Sequence, residues 1–266
     1  MYTFTKKDII LYENELSLKM PKKYIKEFSK TLDLIKICET EIYWPKEIST
    51  NALPWLYHEI YDIFEDNPSS YNHPKMSIEN ASWIIDAGCC EGYFSLFSMN
   101  KNSSSKIIAF EPLKEIKEAL SQTFKKELES NRIIILEKAL GNKNEFVKFF
   151  SGKEHLCDSG ITNDKNTTSY DVVVTTLDEI AEIYNIKENN GMIKMDIEGA
   201  EINALLGANN LLKNFKPKLA IAVYHEYENA KICKEIILNA NPSYKIEFRG
   251  YYGYFNPPRP YMIFAW

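Results

Sequence analysis

Two kinds of hydrophobic pattern divide the chain near residue 80. Before it, Ile25, Phe28, Leu32 and Ile35 recur at helical spacing with Lys and Glu between them, which predicts an amphipathic helix. Residues 54–64 predict a second, aromatic-rich helix that runs into the polar cluster Glu65-Asp66-Asn67-Pro68-Ser69-Ser70, a loop and a domain boundary. Residues 1–80 therefore read as a helical extension, either a lid or a dimer element. Its aromatic side chains either pack its helices onto the main domain or cage a ligand.

Beyond residue 80, short apolar runs alternate with amphipathic stretches. Residues 82–85, 106–110, 132–136, 192–195, 219–223, 244–248 and 261–265 read as strands. Helices are predicted from about Tyr93, from Pro112 to about Leu128, over 199–212 and over 229–238. Strand and helix in alternation mean an α/β fold with a mostly parallel sheet covered on both faces, a Rossmann-like architecture over residues 81–266. The last two strands, joined by a Gly-, Tyr- and Pro-containing segment, read as an antiparallel hairpin. Residues 145–150 and 171–176 alternate with period two and predict an edge hairpin. The polar stretch 151–170 between them reads as a flap.

Composition narrows the class. Of 266 residues 45% are hydrophobic and 26% charged, enough apolar material for a full core. The net charge of −5 gives no broad basic surface, so no nucleic-acid partner is expected. The five cysteines, Cys38, Cys89, Cys90, Cys157 and Cys233, are odd in number and form no C-x-x-C pair, which argues against a disulfide framework or a thiolate zinc site and for the reducing cytoplasm. No apolar run reaches the ~20 residues of a membrane helix, and the charge-interrupted start lacks a signal-peptide core.

Three motifs carry chemistry. Asp86-Ala87-Gly88-Cys89-Cys90-Glu91-Gly92 lies between a buried strand and a helix. Gly88 allows a sharp turn and close approach to a ligand. The pattern D-x-G-x-x-x-G is not the G-x-G-x-x-G of pyrophosphate binders. An acid at this strand end suits a ligand with a positive ammonium group, or else caps the following helix. Glu111, with Pro112 after it, ends the second strand 25 residues beyond Asp86, where Rossmann-like sites place the acid that accepts from ribose hydroxyls. Lys194-Met195-Asp196-Ile197-Glu198-Gly199-Ala200-Glu201 puts Asp196 at the carboxyl edge of a buried strand. Its three carboxylates suit a polar substrate, a divalent ion or a proton, whereas Glu198 can equally serve the helix N-terminus and Glu201 can be solvated. Lys194, inside an apolar strand, is paired with a carboxylate or points into the pocket. His225 ends the strand 219–223 and is either a general base or a surface histidine. His73 is a weaker candidate, His58 structural, and His155 a loop residue.

DAGCCEGYFS, IIAFEP, EKALGN, VVVTTLDEI and IKMDIEGAEINALLGA follow the order seen in FkbM-type methyltransferases, which the chain resembles over about residues 82–225. The resemblance implies a seven-stranded sheet, S-adenosylmethionine as donor and a hydroxyl acceptor on a small molecule, a sugar or glycan, or a secondary metabolite. It implies that Asp86 and Gly88 hold the methionine portion, Glu111 the ribose, and Ala139 or its neighbours the adenine side, with Ala87, Gly92, Tyr93, Ser95 and Pro112 also at the cofactor. Asp196 and His225 would face the reaction, with Glu198 and Glu201 toward the acceptor. Cys89, Cys90 and Glu91 depart from the small or Asn residues common in the family. A divalent metal is compatible with the three carboxylates and stays unassigned, as does a homo-oligomeric state. A nicotinamide-dependent dehydrogenase is the runner-up enzyme class, disfavoured by the missing G-x-G-x-x-G, and a non-catalytic cofactor-binding scaffold is the third reading.

Overall fold

The computed structural model describes residues 2–151 and 168–266. The chain opens with α1 (Lys6–Glu15), then β1 (Lys23–Glu27), β2 (Leu32–Ile37) and β3 (Thr40–Pro45), and α2 (Leu53–Tyr61). The expected helix through Ile25, Phe28, Leu32 and Ile35 is thus a three-stranded antiparallel meander. The period-two run decides it: Ile35, Ile37, Ile42 and Trp44 are buried while Lys36 and Glu41 are not. Ile25 and Phe28, which supplied the helical spacing, are 52% and 49% exposed. The two-residue turn that reverses β2 into β3 is Cys38-Glu39, with Cys38 at φ 50°. Hairpin turns of this length need positive φ, and Cys-Glu carries none of the usual Asn-Gly signature.

The alternating region follows the expected order. It comprises β4 (Trp83–Ala87), α3 (Tyr93–Lys101), β5 (Lys106–Phe110), α4 (Lys117–Thr123), α5 (Lys125–Glu129) and β6 (Ile133–Leu136). After β7 (Lys138–Leu140), β8 (Glu145–Ser151) and β9 (Thr168–Thr175) come α6 (Leu177–Ile183), β10 (Met192–Met195), α7 (Glu201–Leu206) and α8 (Asn209–Phe215). The chain ends with β11 (Lys218–Ala222), α9 (Asn229–Ala240), β12 (Ile246–Arg249) and β13 (Met262–Ala265). Two predicted long helices are broken. The one after Pro112 begins as a 3-10 turn at Lys114–Ile116 before α4. The one after Gly199 divides at Gly207-Ala208 into α7 and α8. A Cβ on Gly207 would lie 2.1 Å from the Gly141 carbonyl oxygen, so the break is where the helix meets another backbone.

Seven strands form the central sheet in the order β12-β13-β11-β10-β4-β5-β6. The pairs from β11 through β6 are parallel, and β13 joins β11 and β12 antiparallel, the expected hairpin. β8 and β9 pair antiparallel as expected, and β7 joins β9 in parallel to make a separate three-stranded sheet. The flap expectation for 151–170 falls for the most part outside the described residues.

Successive strand residues face opposite ways, so Ile84 joins one hydrophobic cluster and Ile85 the other. The β1–β3 meander, α2 and α3 pack on the Ile84 side together with Ala220 and Phe264. The N-terminal aromatics largely serve packing: Tyr57 meets Tyr93 edge-on at 5.7 Å and Tyr61 meets Phe97 at 5.3 Å. β3 is tied to α4 by the Tyr43 N–H donating to Thr123 Oγ1 at 3.0 Å. Residues before 80 therefore share one core with the sheet. Among the described residues no helix is long and apolar enough to cross a membrane.

The meander makes a prediction that a helix does not. Ile35→Ala, at a fully buried position, should cost about 2–5 kcal/mol in urea unfolding. Ile25→Ala, exposed on β1, should cost less than about 0.5 kcal/mol. Equal losses would favour the helical reading.

Candidate active site

β4, β5 and β6 run to one side of the sheet and β10 and β11 to the other. The order reverses between β4 and β10, and open α/β sheets bind ligands in the crevice that such a reversal leaves at the carboxyl ends. A cavity of about 480 Å³ opens there, lined by Gly88 to Glu91 after β4, Phe110 to Leu113 after β5, Lys138 to Leu140, Asp196 to Ala200 after β10, and His225 and Glu226 after β11. Leu56, Glu59, Ile60 and Tyr71 close it from the N-terminal segment and Phe149 from β8.

The floor is made by a backbone approach. Gly88 has φ +76°, and a Cβ there would lie 1.8 Å from the Asp196 carbonyl oxygen. The N–H groups of Gly88 and Cys89 both donate to the Phe110 carbonyl, at 3.1 and 3.0 Å. Lys194 Nζ donates to the Gly88 carbonyl and lies 3.4 Å from Asp86 Oδ1. Asp86 also accepts from Ser95 Oγ at 2.7 Å and has no exposed surface. Burial raises the Asp86 carboxyl, with Lys194 and Ser95 opposing. Burial alone would lower Lys194, yet the Asp86 and Asp196 charges carry its ammonium above the usual lysine range.

Toward β5, Glu111 is buried at the cavity wall and accepts from the Cys90 N–H at 2.8 Å and the Leu113 N–H at 3.0 Å. Each carboxylate oxygen keeps a lone pair for a ligand hydroxyl. Burial pushes Glu111 up to about 7 against those two bonds. Neighbouring Glu91 is likewise raised by burial, to about 7. Apolar surface from Leu113, Ala139 and Phe149 lines the same end.

At the β10 end four groups converge. Asp196 Oδ2 accepts from the buried Tyr71 hydroxyl at 2.9 Å. His225 Nε2 lies 3.6 Å from Asp196 Oδ1 and 3.2 Å from Glu198 Oε2, and its Nδ1 lies 3.5 Å from Glu201 Oε1. Burial opposes a charge on His225, but the Glu198 carboxylate beside it and the charges of Glu201 and Asp196 outweigh burial and raise it to about 9. Burial lifts Glu198 to about 7. Glu201, with no exposed surface, takes the N–H groups of Ile197 at 2.9 Å and Gly199 at 3.3 Å, so it shapes the turn. One ligand atom each from Asp196, Glu198 and His225 lie within 4.8 Å of one another, which among the described residues makes these three able to hold a metal.

The sequence matches the methyltransferase FkbM domain over residues 86–247, more than half of the chain and all the strand ends just described. The chain belongs to the FkbM methyltransferase family. The crystal structure of methyltransferase FkbM from Methylobacillus flagellatus KT superposes with a TM-score of 0.55 at 22% identity, covering 80% of this chain and 50% of that one. This chain thus spans half the length of that protein. More distant are M. jannaschii TYW2 in complex with AdoMet, at TM-score 0.45 and 10% identity over 93% of this chain and 92% of that one, and precorrin-6y C5,15-methyltransferase from Geobacter metallireducens GS-15, at 0.41 and 11% over 72% and 82%. The likeness to the Methylobacillus protein shows a shared fold. No curated protein matches the sequence.

In this FkbM domain the residues expected at the cofactor divide into two groups. Gly88, Glu111, Pro112 and Ala139 line the cavity. Asp86, Ala87, Gly92, Tyr93 and Ser95 lie around or beneath it rather than on its lining. Asp86 and Ser95 bond each other beneath the floor, and Ala87 is fully buried within β4. Gly92 faces the Phe124 ring, where a Cβ would come within 2.6 Å. Tyr93 packs against Tyr57 and Tyr61. Of the acceptor candidates, Glu198 lines the cavity and Glu201 lies behind it. His225, with a side chain only 12% exposed, is no surface histidine. His73 is held away from the cavity by Glu247 and the Lys75 N–H, and His58 is held by Asp62. His155 lies outside the described residues. Tyr71 and Glu59, which also line the cavity, were not singled out by the sequence; Tyr71 sits in an irregular loop where no periodicity flags it.

Lys194→Met should remove the partner of the buried Asp86 and cost about 3–5 kcal/mol. Adding Asp86→Asn should recover much of that loss in thermal or urea unfolding. A double variant no more stable than the single one would contradict the pairing.

Proposed function

We propose that the protein transfers a methyl group from S-adenosylmethionine to a hydroxyl oxygen on a small-molecule or glycan acceptor. The observation that carries this reading is one cavity with a buried carboxylate, Glu111, at one end and the Asp196–Glu198–His225 group at the other. The donor set fits the cofactor. Glu111 has lone pairs for two ribose hydroxyls, Ala139 and Phe149 offer apolar surface for the adenine, and Glu91, Asp196 and Glu198 place negative charge around a sulfonium. When bound, S-adenosylmethionine supplies a methyl group made electrophilic by that sulfonium.

The residues of the chain do the rest. Leu56, Ile60, Phe94 and Phe149 exclude water from the cavity, which strengthens every charge inside it. Asp196 is held by the Tyr71 hydroxyl through Oδ2, leaving Oδ1 without a hydrogen-bond partner among the described residues. Without an ion in the site, that oxygen, with His225 alongside, takes the acceptor proton as the hydroxyl oxygen gains the methyl group. Positioning the acceptor in line supplies much of the acceleration. Family membership leaves the nicotinamide-dependent dehydrogenase without support, and turnover separates a transferase from a binding scaffold.

Two outcomes test the reading. Incubation with isotope-labelled methyl donor and cell extract should label an acceptor at an alkali-stable ether, with transfer at least ~100-fold slower in Asp196→Asn. Label on nitrogen or carbon, or none, would contradict O-methylation.

The second uses pH. Ribose hydroxyls donate to the charged form of Glu111, so binding favours deprotonation of a group that titrates at about 7 in the free protein. S-adenosylhomocysteine affinity should therefore rise between pH 6 and 8. Glu111→Gln should weaken binding about 10–100-fold and flatten the rise, part of which Glu91 can supply. Unchanged affinity in Glu111→Gln would remove this residue from the cofactor site.

A further inference from the structure

We propose that Asp196, Glu198 and His225 form a divalent-cation site of the Mg²⁺ or Mn²⁺ class that holds the acceptor oxygen beside the cofactor pocket. The inference rests on the transferase reading for its purpose, but its ligands are fixed by geometry alone.

Around an octahedral ion with bonds of about 2.0–2.2 Å, neighbouring donor atoms lie roughly 2.8–3.1 Å apart. His225 Nε2 is 3.2 Å from Glu198 Oε2 and 3.6 Å from Asp196 Oδ1, a site slightly wider than the ion that small side-chain shifts would close. Both are ion-pair contacts, the one to Glu198 bordering on a hydrogen bond, and by strict geometry Nε2 and Oδ1 are buried atoms without a hydrogen-bond partner among the described residues. Buried polar atoms are seldom left so. An ion between them would satisfy both at once.

The surroundings match a metal site beyond its ligands. Glu201 is completely buried, is anchored by the Ile197 and Gly199 N–H groups, and sets a carboxylate oxygen 3.5 Å from His225 Nδ1, in ion-pair contact but without hydrogen-bond geometry. A carboxylate behind the second ring nitrogen is the usual support of a metal-bound histidine. Glu198 adopts φ 56° and Gly199 φ 93°, which turns the chain so that the Glu198 carboxylate faces His225. A left-handed non-glycine residue costs about 1–3 kcal/mol and persists where the surroundings demand it.

Charge points the same way. Three carboxylates, Asp196, Glu198 and Glu201, surround a single imidazole. Lys194, the nearest ammonium, is committed to Asp86 and the Gly88 carbonyl. A doubly charged cation would balance what one imidazole cannot. Two carboxylate oxygens and one imidazole nitrogen, with no thiolate, suit hard or borderline ions. Three protein ligands leave positions open toward the cavity for one or two acceptor oxygens, whose acidity the ion would raise. Acceptors carrying adjacent oxygens, a vicinal diol or an α-hydroxy carboxylate, would chelate best.

The test is Mn²⁺ titration of the EDTA-dialysed full chain, read by loss of the free-ion EPR signal, without any substrate. One ion per chain should bind, and pulsed EPR of the bound ion should show coupling to an imidazole nitrogen. Glu201→Gln should weaken binding about 10–100-fold, and His225→Ala or Glu198→Gln at least as much, with S-adenosylhomocysteine affinity nearly unchanged in Glu201→Gln as the check on folding. An undiminished free Mn²⁺ signal at about 1 mM, a bound ion without nitrogen coupling, or equal affinity in His225→Ala would each overturn the site. S-adenosylhomocysteine binding without Mn²⁺ binding would sink the cation site alone. Mn²⁺ binding without S-adenosylhomocysteine binding would sink the transferase reading and leave the site standing.

Discussion

At the carboxyl ends of β4 and β10 the backbones of Gly88 and Asp196 come so close that no side chain fits at residue 88. Everything in the cavity is positioned by that contact. It sets Asp196 on the floor, aims the residue 88–91 turn at Glu111, and opens the crevice between strands that leave the centre of the sheet in opposite directions. The Lys194–Asp86 pair beneath it is the seal, a buried ion pair whose two members share one register position across the strands. Such pairs add little net stability but fix an arrangement, because separating the partners is costly.

The second constraint is negative charge. Glu91, Glu111, Asp196 and Glu198 all line one cavity, and burial lifts three of them to about 7. A cavity of this kind disfavours anions and has a standing demand for cations. A sulfonium nucleoside answers it at the Glu111 end, and a divalent ion answers it at the His225 end. One electrostatic feature thus selects both the proposed donor and the proposed device for gripping the acceptor.

Much of this was legible in the sequence because parallel strands covered on both faces leave continuous apolar runs. The strands from Trp83 onward, the closing hairpin and the β8–β9 pair follow from pattern, and Gly88, Glu111, Asp196 and His225 follow from their places at strand ends. The pairing of Asp86 was not legible in its own motif, because a strand-end acid looks the same whether it faces a ligand or a lysine. Lys194, an ammonium in an equally apolar strand, was the clue: two buried charges in strands that pair belong together. The meander was misread because Ile25 and Phe28, exposed in the fold, happened to complete a helical spacing with Leu32 and Ile35. Tyr71 left no trace, since it reaches Asp196 across 125 positions from an irregular loop.

A crystal structure with S-adenosylhomocysteine bound tests the central claim most directly. The ribose hydroxyls should lie on Glu111, the sulfur should face the Asp196 side of the cavity, and Asp86 should remain on Lys194 beneath the floor without touching the ligand. A nucleoside seated elsewhere, or an Asp86 released from Lys194 to contact it, would contradict the account.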